Sequence, residues 1–413
     1  MPQPQYDIVS VGGGLGGSAL AMAMAKHGAR VLVLEQENRF RDRVRGEGIL
    51  PWGVEEMRRL GIYELIRDRC GRECRYLVTG SPNFTTASSP LGERAGMARR
   101  DLVATTPQHA PSLSFFHPAM QETLLAAAAA AGAEVRRGVT VTAVSPGVPG
   151  SVRFANGGRV EEVRAPLIVG ADGRNSMMRN WGGFDVRHDP QWWLIAGVLL
   201  EGVAEFDECM LYIISSMRTG REAILFPLGE KRARAYLIYE ANAGPRLSGE
   251  TAMPRFVAES VETGIPAEFY ANVHAAGPLA TFNGADHWIE HPYRNGIVLV
   301  GDAAASSDPT FGQGLSLTVR DVRVLRDYLL ADNDWDAACN AYAGEHDRHY
   351  GAIHRVSGWW NAIFWDRARD AELRRKSLLP LLAREPARIP DHFFGGPDLP
   401  ADESTRRRFF GED

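Results

Sequence analysis

Residues 5–35 read QYDIVSVGGGLGGSALAMAMAKHGARVLVLE, and this stretch decides the fold. Residues 5–11 form an apolar run that reads as a buried strand. A glycine cluster follows, then an apolar run through Ala25 that reads as a helix, and residues 30–35 read as a second strand. Strand, helix and strand in so short a span make a βαβ unit with a right-handed crossover. Gly12, Gly14 and Gly17 punctuate its first turn. In that spacing Gly12 permits the tight exit from the strand, Gly14 lets backbone approach a pyrophosphate, and Gly17 lets helix and strand pack closely. The helix N-terminus then offers free N–H groups to phosphates. Glu35 ends the second strand, where a carboxylate can accept hydrogen bonds from a ribose.

Two further stretches have the same character. Residues 166–173 (PLIVGADG) read as a short buried strand that ends in a turn at Asp172-Gly173, which alone is only a turn signal. Residues 295–304 (NGIVLVGDAA) place Asp302 at the C-terminal end of a parallel-type strand, where ligands of open α/β sheets sit. Pro309-Thr310-Phe311-Gly312-Gln313-Gly314-Leu315 follows and opens a helix that runs to about Leu330, so its N–H groups can face developing negative charge. Arg45, in Arg43-Val44-Arg45-Gly46-Glu47-Gly48, offers a planar cation suited to phosphate, and a solvated loop is the competing reading.

Between these motifs the texture changes. Segment 51–68 and residues 117–131 read as helices, and 134–144 as one strand. Asn156-Gly157 marks a hairpin in 151–170. From about 186 to 284, aromatic and β-branched strands suggest an antiparallel sheet. The fold class expected is therefore α/β. A Rossmann-like nucleotide-binding domain is built from three segments (1–75, 106–185 and 285–330). An antiparallel-sheet substrate domain (76–105 and 186–284) is inserted, and a helical C-terminal segment covers 331–413.

Composition limits the function. The chain has 413 residues, enough for two or three domains, and 45% of them are hydrophobic, which excludes wholesale disorder. A net charge of −5 leaves no basic field for nucleic acid. Only Lys26, Lys231 and Lys376 are lysines. Cys70, Cys74, Cys209 and Cys339 form neither a disulfide framework nor a zinc pattern, and Cys70 and Cys74 have the spacing to share a helix face. With no signal-peptide pattern and no apolar stretch long enough to span a bilayer, the expectation is a cytoplasmic protein with no transmembrane segment.

The order of the motifs resembles that of the single-component FAD-dependent aromatic hydroxylases, the para-hydroxybenzoate hydroxylase-like (group A) flavoprotein monooxygenases. The resemblance rests on GGGLGG at 12–17 with Glu35, on GADGRNS at 170–176 and on GDAA with PTFGQGLSL at 301–317, and it covers about residues 1–330. It implies bound, non-covalent FAD. Gly12, Gly14, Leu15 and Gly17 would lie at the pyrophosphate, Glu35 at the adenosine ribose, and Asp302 at the ribityl or pyrophosphate region. Backbone at Pro309, Gly312, Gly314 and Leu315 would border the ring system. Asp172 belongs to the shared flavin and NAD(P)H motif, and Arg45 falls where the family has a mobile flavin-contacting arginine. This sequence departs from the pattern at Ala305, for a frequent histidine, at His117, for an adenosine-contacting arginine, and at Ser316, for an asparagine.

The resemblance implies three chemical stages: NADH or NADPH reduces the flavin, O2 forms a C4a-hydroperoxyflavin, and its distal oxygen attacks an electron-rich aromatic or polycyclic molecule. The cofactor carries the hard chemistry, so neither a catalytic triad nor a metal site is expected. Trp192, Trp193, Tyr212, Phe226, Tyr236 and Phe311 are candidate substrate walls, and a general base has no assigned residue. Flavin-dependent halogenases share the glycine motif, but need a substrate-side lysine and a Trp-x-Trp motif that are absent here. Geranylgeranyl-reductase-like and epoxidase-like enzymes stay open as alternatives, as does a non-catalytic flavin-fold binding protein. Trp359, Trp360 and Trp365 either form an oligomer surface or cover the core.

Overall fold

A computed structural model describes residues 5–80, 97–204, 207–366 and 368–413. The first strand, β1 (Ile8–Val11), is buried throughout, and α1 (Leu15–Lys26) crosses to β2 (Val31–Glu35). Small residues along α1 let it lie close between α2 (His117–Ala130) and the helix that follows the late glycine loop. The chain adds β3 (Glu134–Arg137) beside β2 and β4 (Leu167–Gly170) on the far side of β1. Ile8 lies opposite both Val31 and Leu167 in parallel register.

The chain then leaves this sheet for a second one, built from β5 (Trp193–Glu201), β6 (Met210–Ser216), β7 (Arg221–Gly229) and β8 (Arg232–Glu240). Their order is β5-β8-β7-β6, all antiparallel. Tyr76–Gly80 adds in parallel to β6, with Met97–Asp101 outside it, so this sheet is not purely antiparallel. Residues 81–96, between those two strands, lie outside the described residues. Both faces of the sheet are buried: Met253–Thr263 and Ala267–Tyr270 cover the outer one, and the nucleotide-type domain and the C-terminal segment cover the inner one.

The chain re-enters the first sheet as β9 (Ile297–Leu299), parallel to β4, with Ile168 opposite Ile297. The first sheet thus runs β9-β4-β1-β2-β3, with Tyr293–Arg294 at its edge. The three motif-bearing strands β1, β4 and β9 are immediate neighbours, and their C-terminal ends share one edge. The long helices α3 (Gly314–Ala331) and α4 (Trp335–Phe364) follow.

Several local expectations need correction. Segment 51–68 is two helices, Pro51–Leu60 and Tyr63–Arg69, because Gly61 adopts a left-handed conformation that ends the first. Residues 134–144 are two strands in different sheets, separated by a turn at Gly138 (φ 70°). Cys70 and Cys74 share no helix face: the helix stops at Arg69, and Cys74 is buried in a strand. Of the tail tryptophans, Trp359 and Trp360 pack against Leu378 and Phe409, and Trp365 packs on Trp193, so they cover interior rather than form a free surface. No helix among the described residues is long and apolar enough to cross a membrane.

Candidate functional site

One continuous cavity of about 610 Å3 runs from the strand ends of the first sheet to the inner face of the second. Gly12, Gly14, Leu15, Glu35, Arg45, His117, Asp172, Asp302, Pro309, Gly312, Gly314 and Leu315 all line it. Its volume lies in the range of small-molecule sites.

The glycines divide by physical reason. Gly12 (φ 103°) sits so close to the next strand that a Cβ would lie 2.3 Å from the Ala171 carbonyl oxygen, so the fold itself requires glycine. Gly17 does not line the cavity. A Cβ there would lie 2.0 Å from the Gly12 carbonyl oxygen, so its task is helix–strand packing rather than contact with a ligand. Gly14 differs from both. Its backbone (φ −72°, ψ −164°) suits any residue, and a Cβ would meet only Gln121 Nε2, at 3.6 Å. Nothing in the protein needs glycine there, and the space it leaves lies at the N-terminus of α1, which no side chain caps. That is the cradle a pyrophosphate requires. The N-terminus of α3 is likewise uncapped by a side chain, and a Cβ on Gly314 would make only ordinary contacts. These features fit an extended dinucleotide such as FAD.

The acids are set by backbone and charge. Glu35 accepts from Gly13 N (2.7 Å) and Glu37 N (2.8 Å), which fixes its carboxylate at the cavity wall. Asp172 Oδ2 accepts from Met177 N (2.7 Å) and Met178 N (3.1 Å), while Oδ1 is buried without a partner. Burial raises the pKa of Asp302, and the arginines Arg174, Arg45 and Arg179 oppose that shift. His117 donates from Nδ1 to the Gly46 carbonyl (2.6 Å), and burial lowers its pKa, which favours the neutral ring. Asp302→Ala is expected to preserve folding and weaken FAD binding tenfold to a hundredfold, about 1.5–3 kcal/mol for lost charged hydrogen bonds. Flavin fluorescence titration of the apoprotein measures this.

The aromatic candidates separate. Phe226 and Tyr236 line the cavity, with Ile195, Ile224, Ile238 and Phe282. Tyr212 does not. It pairs with Leu225, whereas Ile213 pairs with Ile224, so the two-residue period of the strand turns Tyr212 to the outer face, against Phe269. Trp193 has its ring against Trp365 (4.8 Å), beyond the cavity wall. Trp192 is 62% exposed. Phe311 turns away from the cavity to stack on Phe393 (4.5 Å), although its neighbours Pro309 and Gly312 face inward.

Two groupings escaped the sequence reading. Asp42, Glu47, Arg234 and Tyr236 meet where the Arg43–Gly48 loop touches β8. The available signal was alternation: Arg234 shares the parity of Tyr236 and Ile238 in an otherwise buried strand. Separately, Gly301 N donates to Asp321 Oδ2 (2.8 Å), and Asp321 Oδ1 accepts from His346 Nδ1 and His349 Nε2 (2.9 Å each). The turn that carries Asp302 is thereby tied through α3 to α4. Nothing in the linear pattern places these residues together.

Comparison with known proteins agrees with this geometry. The family model described as FAD binding domain matches residues 5–335, and the chain belongs to that family. It is 29% identical over 333 residues to a rifampicin monooxygenase of Streptomyces venezuelae, covering 80% of this chain and 65% of the relative. It is also 29% identical over 318 residues to digeranylgeranylglycerophospholipid reductase 1 of Methanococcoides burtonii, covering 76% of this chain and 71% of the relative. The matched region thus spans less than two thirds of the rifampicin monooxygenase. Among solved structures, p-nitrophenol 4-monooxygenase PnpA from Pseudomonas putida DLL-E4 superposes with a TM-score of 0.73 at 17% identity, covering 92% of this chain and 94% of that one. The flavin-dependent halogenase CmlS reaches 0.74 at 17% identity, covering 99% and 76%. At these identities the structural likeness establishes the fold alone.

Proposed function

We propose that this protein is an FAD-dependent monooxygenase that uses NADH or NADPH and O2 to hydroxylate an aromatic or polycyclic small molecule. The observation that carries this reading is the continuity of the cavity. The glycine cradle at one end opens into a chamber walled by Ile195, Ile224, Phe226, Ile238 and Phe282. Bound FAD would take hydride from the nicotinamide and deliver electrons to O2. Gly12, Gly14 and Leu15 would hold its pyrophosphate against the N-terminus of α1, Glu35 its ribose, and Asp302 the ribityl region. Pro309, Gly312, Gly314 and Leu315 would border its ring, where the N-terminal end of α3 favours developing negative charge. Arg45, 5.9 Å from the Phe282 ring centroid, lines the same cavity and would reach the flavin from the substrate side. Apolar walls exclude water from the reacting centre.

The reductase relatives favour a second reading, saturation of long isoprenoid lipids. The buried Glu47–Arg234–Asp42 cluster beside the chamber weighs against it, because a hydrocarbon chain offers those groups no partner. Oxygen consumption separates the two. With purified holoenzyme and a panel of phenols and polycyclic aromatics, NAD(P)H oxidation should be substrate-stimulated and matched by O2 uptake. Equal turnover under anaerobic conditions to a saturated product would sink the hydroxylase reading. Purification without bound flavin, and failure to take it up, would favour a binding module.

A further inference from the structure

Asp189, Asp286 and His354 converge where the chain passes between the two sheets. Val186–His188 and His287–Ile289 pair in antiparallel register with His188 opposite His287. The next residues along, Asp189 and Asp286, are therefore also neighbours, and Asp189 N donates to the Asp286 carbonyl (3.1 Å). α4 crosses this pair. Its residues His346, Tyr350 and His354 share one helix face, where their rings stack in a ladder with centroids 6.0 and 5.5 Å apart. Trp288 closes on the last of them (4.7 Å). The His354 imidazole is thereby held in one orientation, with Nε2 2.8 Å from Asp189 Oδ2 and 3.9 Å from Asp286 Oδ2. No motif in the sequence announces this grouping, because Asp189 and His354 are 165 positions apart.

The charges here do not balance. Asp286 is 5% exposed, and a third carboxylate lies behind it, since Asp308 N donates to Asp286 Oδ1. Arg174 is engaged elsewhere, donating to Ser306 Oγ (2.6 Å) and to the Ala285 carbonyl. Among the described residues this sets one imidazole against three acids, and a buried carboxylate without a counter-ion is costly. The geometry suits a metal ion. One ligand atom from each of Asp189, Asp286 and His354 lies within 4.8 Å of the others, which leaves room between them for an ion at bond lengths of about 2.0–2.2 Å. Tyr350 Oη donates to Asp286 Oδ2 (2.9 Å), the kind of outer hydrogen bond that orients a ligating carboxylate. Asp189 and His354 are part exposed, so an ion can enter and water can complete its shell. Asp321, His346 and His349 are an equally close set, but a sealed one. Asp321 Oδ1 already accepts from both rings, and the outer nitrogens, His346 Nε2 and His349 Nδ1, are buried without partners, so ligation through the inner nitrogens would strand two N–H groups.

We propose that Asp189, Asp286 and His354 bind one divalent ion of the zinc class, which clips the second sheet and α4 to the edge of the cavity. An imidazole beside two carboxylates favours Zn2+ over Mg2+ and Ca2+, which prefer oxygen ligands throughout. Binding forms three bonds from protein to metal and replaces the His354–Asp189 hydrogen bond, with no electron transferred. The ion is structural. Through Asp286 it meets the Asp308 backbone, and Asp308 Oδ1 in turn accepts from Thr310 N (2.9 Å), in the stretch whose Pro309 and Gly312 line the cavity. This inference does not depend on the reaction proposed for the flavin.

The test uses holoenzyme freed of adventitious metal with EDTA and then desalted. Calorimetric titration with ZnSO4 should saturate at one ion per chain, and Zn2+ should raise the thermal midpoint, an effect that EDTA reverses. MgCl2 and CaCl2 at the same concentration should leave the midpoint unchanged. Asp189→Asn and His354→Phe should each weaken zinc binding at least about tenfold to a hundredfold and abolish the stabilisation. Both positions are part exposed, and phenylalanine keeps the ring in the ladder, so flavin content and the metal-free melt should stay close to the wild-type values. No saturable uptake of Zn2+ by the wild type at submillimolar concentration overturns the proposal. Wild-type zinc affinity in both variants also overturns it, because the ion then sits on other ligands, such as the exposed Cys209. Either result leaves the flavin reading intact.

Discussion

Gly14→Val is expected to yield a folded, colourless protein. The backbone at position 14 accepts any side chain, and the nearest atom to a new Cβ is the end of a flexible glutamine, so the apoprotein should melt almost unchanged. The valine methyl groups, however, enter the space that faces the uncapped end of α1. FAD affinity should fall at least a hundredfold, about 2.8 kcal/mol. The measurements are the flavin-to-protein absorbance ratio after purification and a thermal melt of the apoprotein. Stoichiometric flavin in the variant would show that the pyrophosphate lies elsewhere. Gly12→Val makes the contrast, because its Cβ would collide with the Ala171 backbone and damage the sheet itself.

Arg234→Leu should be the most destabilising exchange in the second sheet. Removing the guanidinium leaves Glu47 and Asp42 without their shared cation, and stranding buried charge in this way costs about 3–5 kcal/mol. The triple variant Arg234→Leu, Glu47→Gln, Asp42→Asn should recover much of that loss, because the penalty belongs to the unpaired acids rather than to the missing arginine. Urea denaturation of the apoproteins reads both effects. A single variant as stable as the wild type would show that the cluster contributes no net pairing energy.

Much of the architecture was legible because its signals are local. The βαβ unit announces itself through the apolar run 5–11, the glycines and Glu35, all within one short window. The ends at Asp172 and Asp302 repeat the same apolar-run-then-turn pattern, and their convergence follows from parallel pairing of like elements. The chamber was read less well, because residue type does not reveal the face of a strand. Tyr212 and Phe226 look equivalent in sequence, yet the register that pairs Tyr212 with Leu225 sends Tyr212 to the outer core. Trp193 and Phe311 were drawn away by partners in the C-terminal segment, Trp365 and Phe393, whose positions depend on how α4 folds back. The Glu47–Arg234 pairing joins residues nearly two hundred positions apart, beyond the reach of any periodicity.

Drawing neighbouring strands from residues 8–11, 167–170 and 297–299 also constrains biogenesis. No nascent chain can present a complete nucleotide cleft before residues 297–299 have left the ribosome, and such distant pairings form slowly. Until then the alanine-rich helix and its bare strand edges have no permanent partner. A cleft assembled in this way can take up a dinucleotide only after the last of its three segments has emerged.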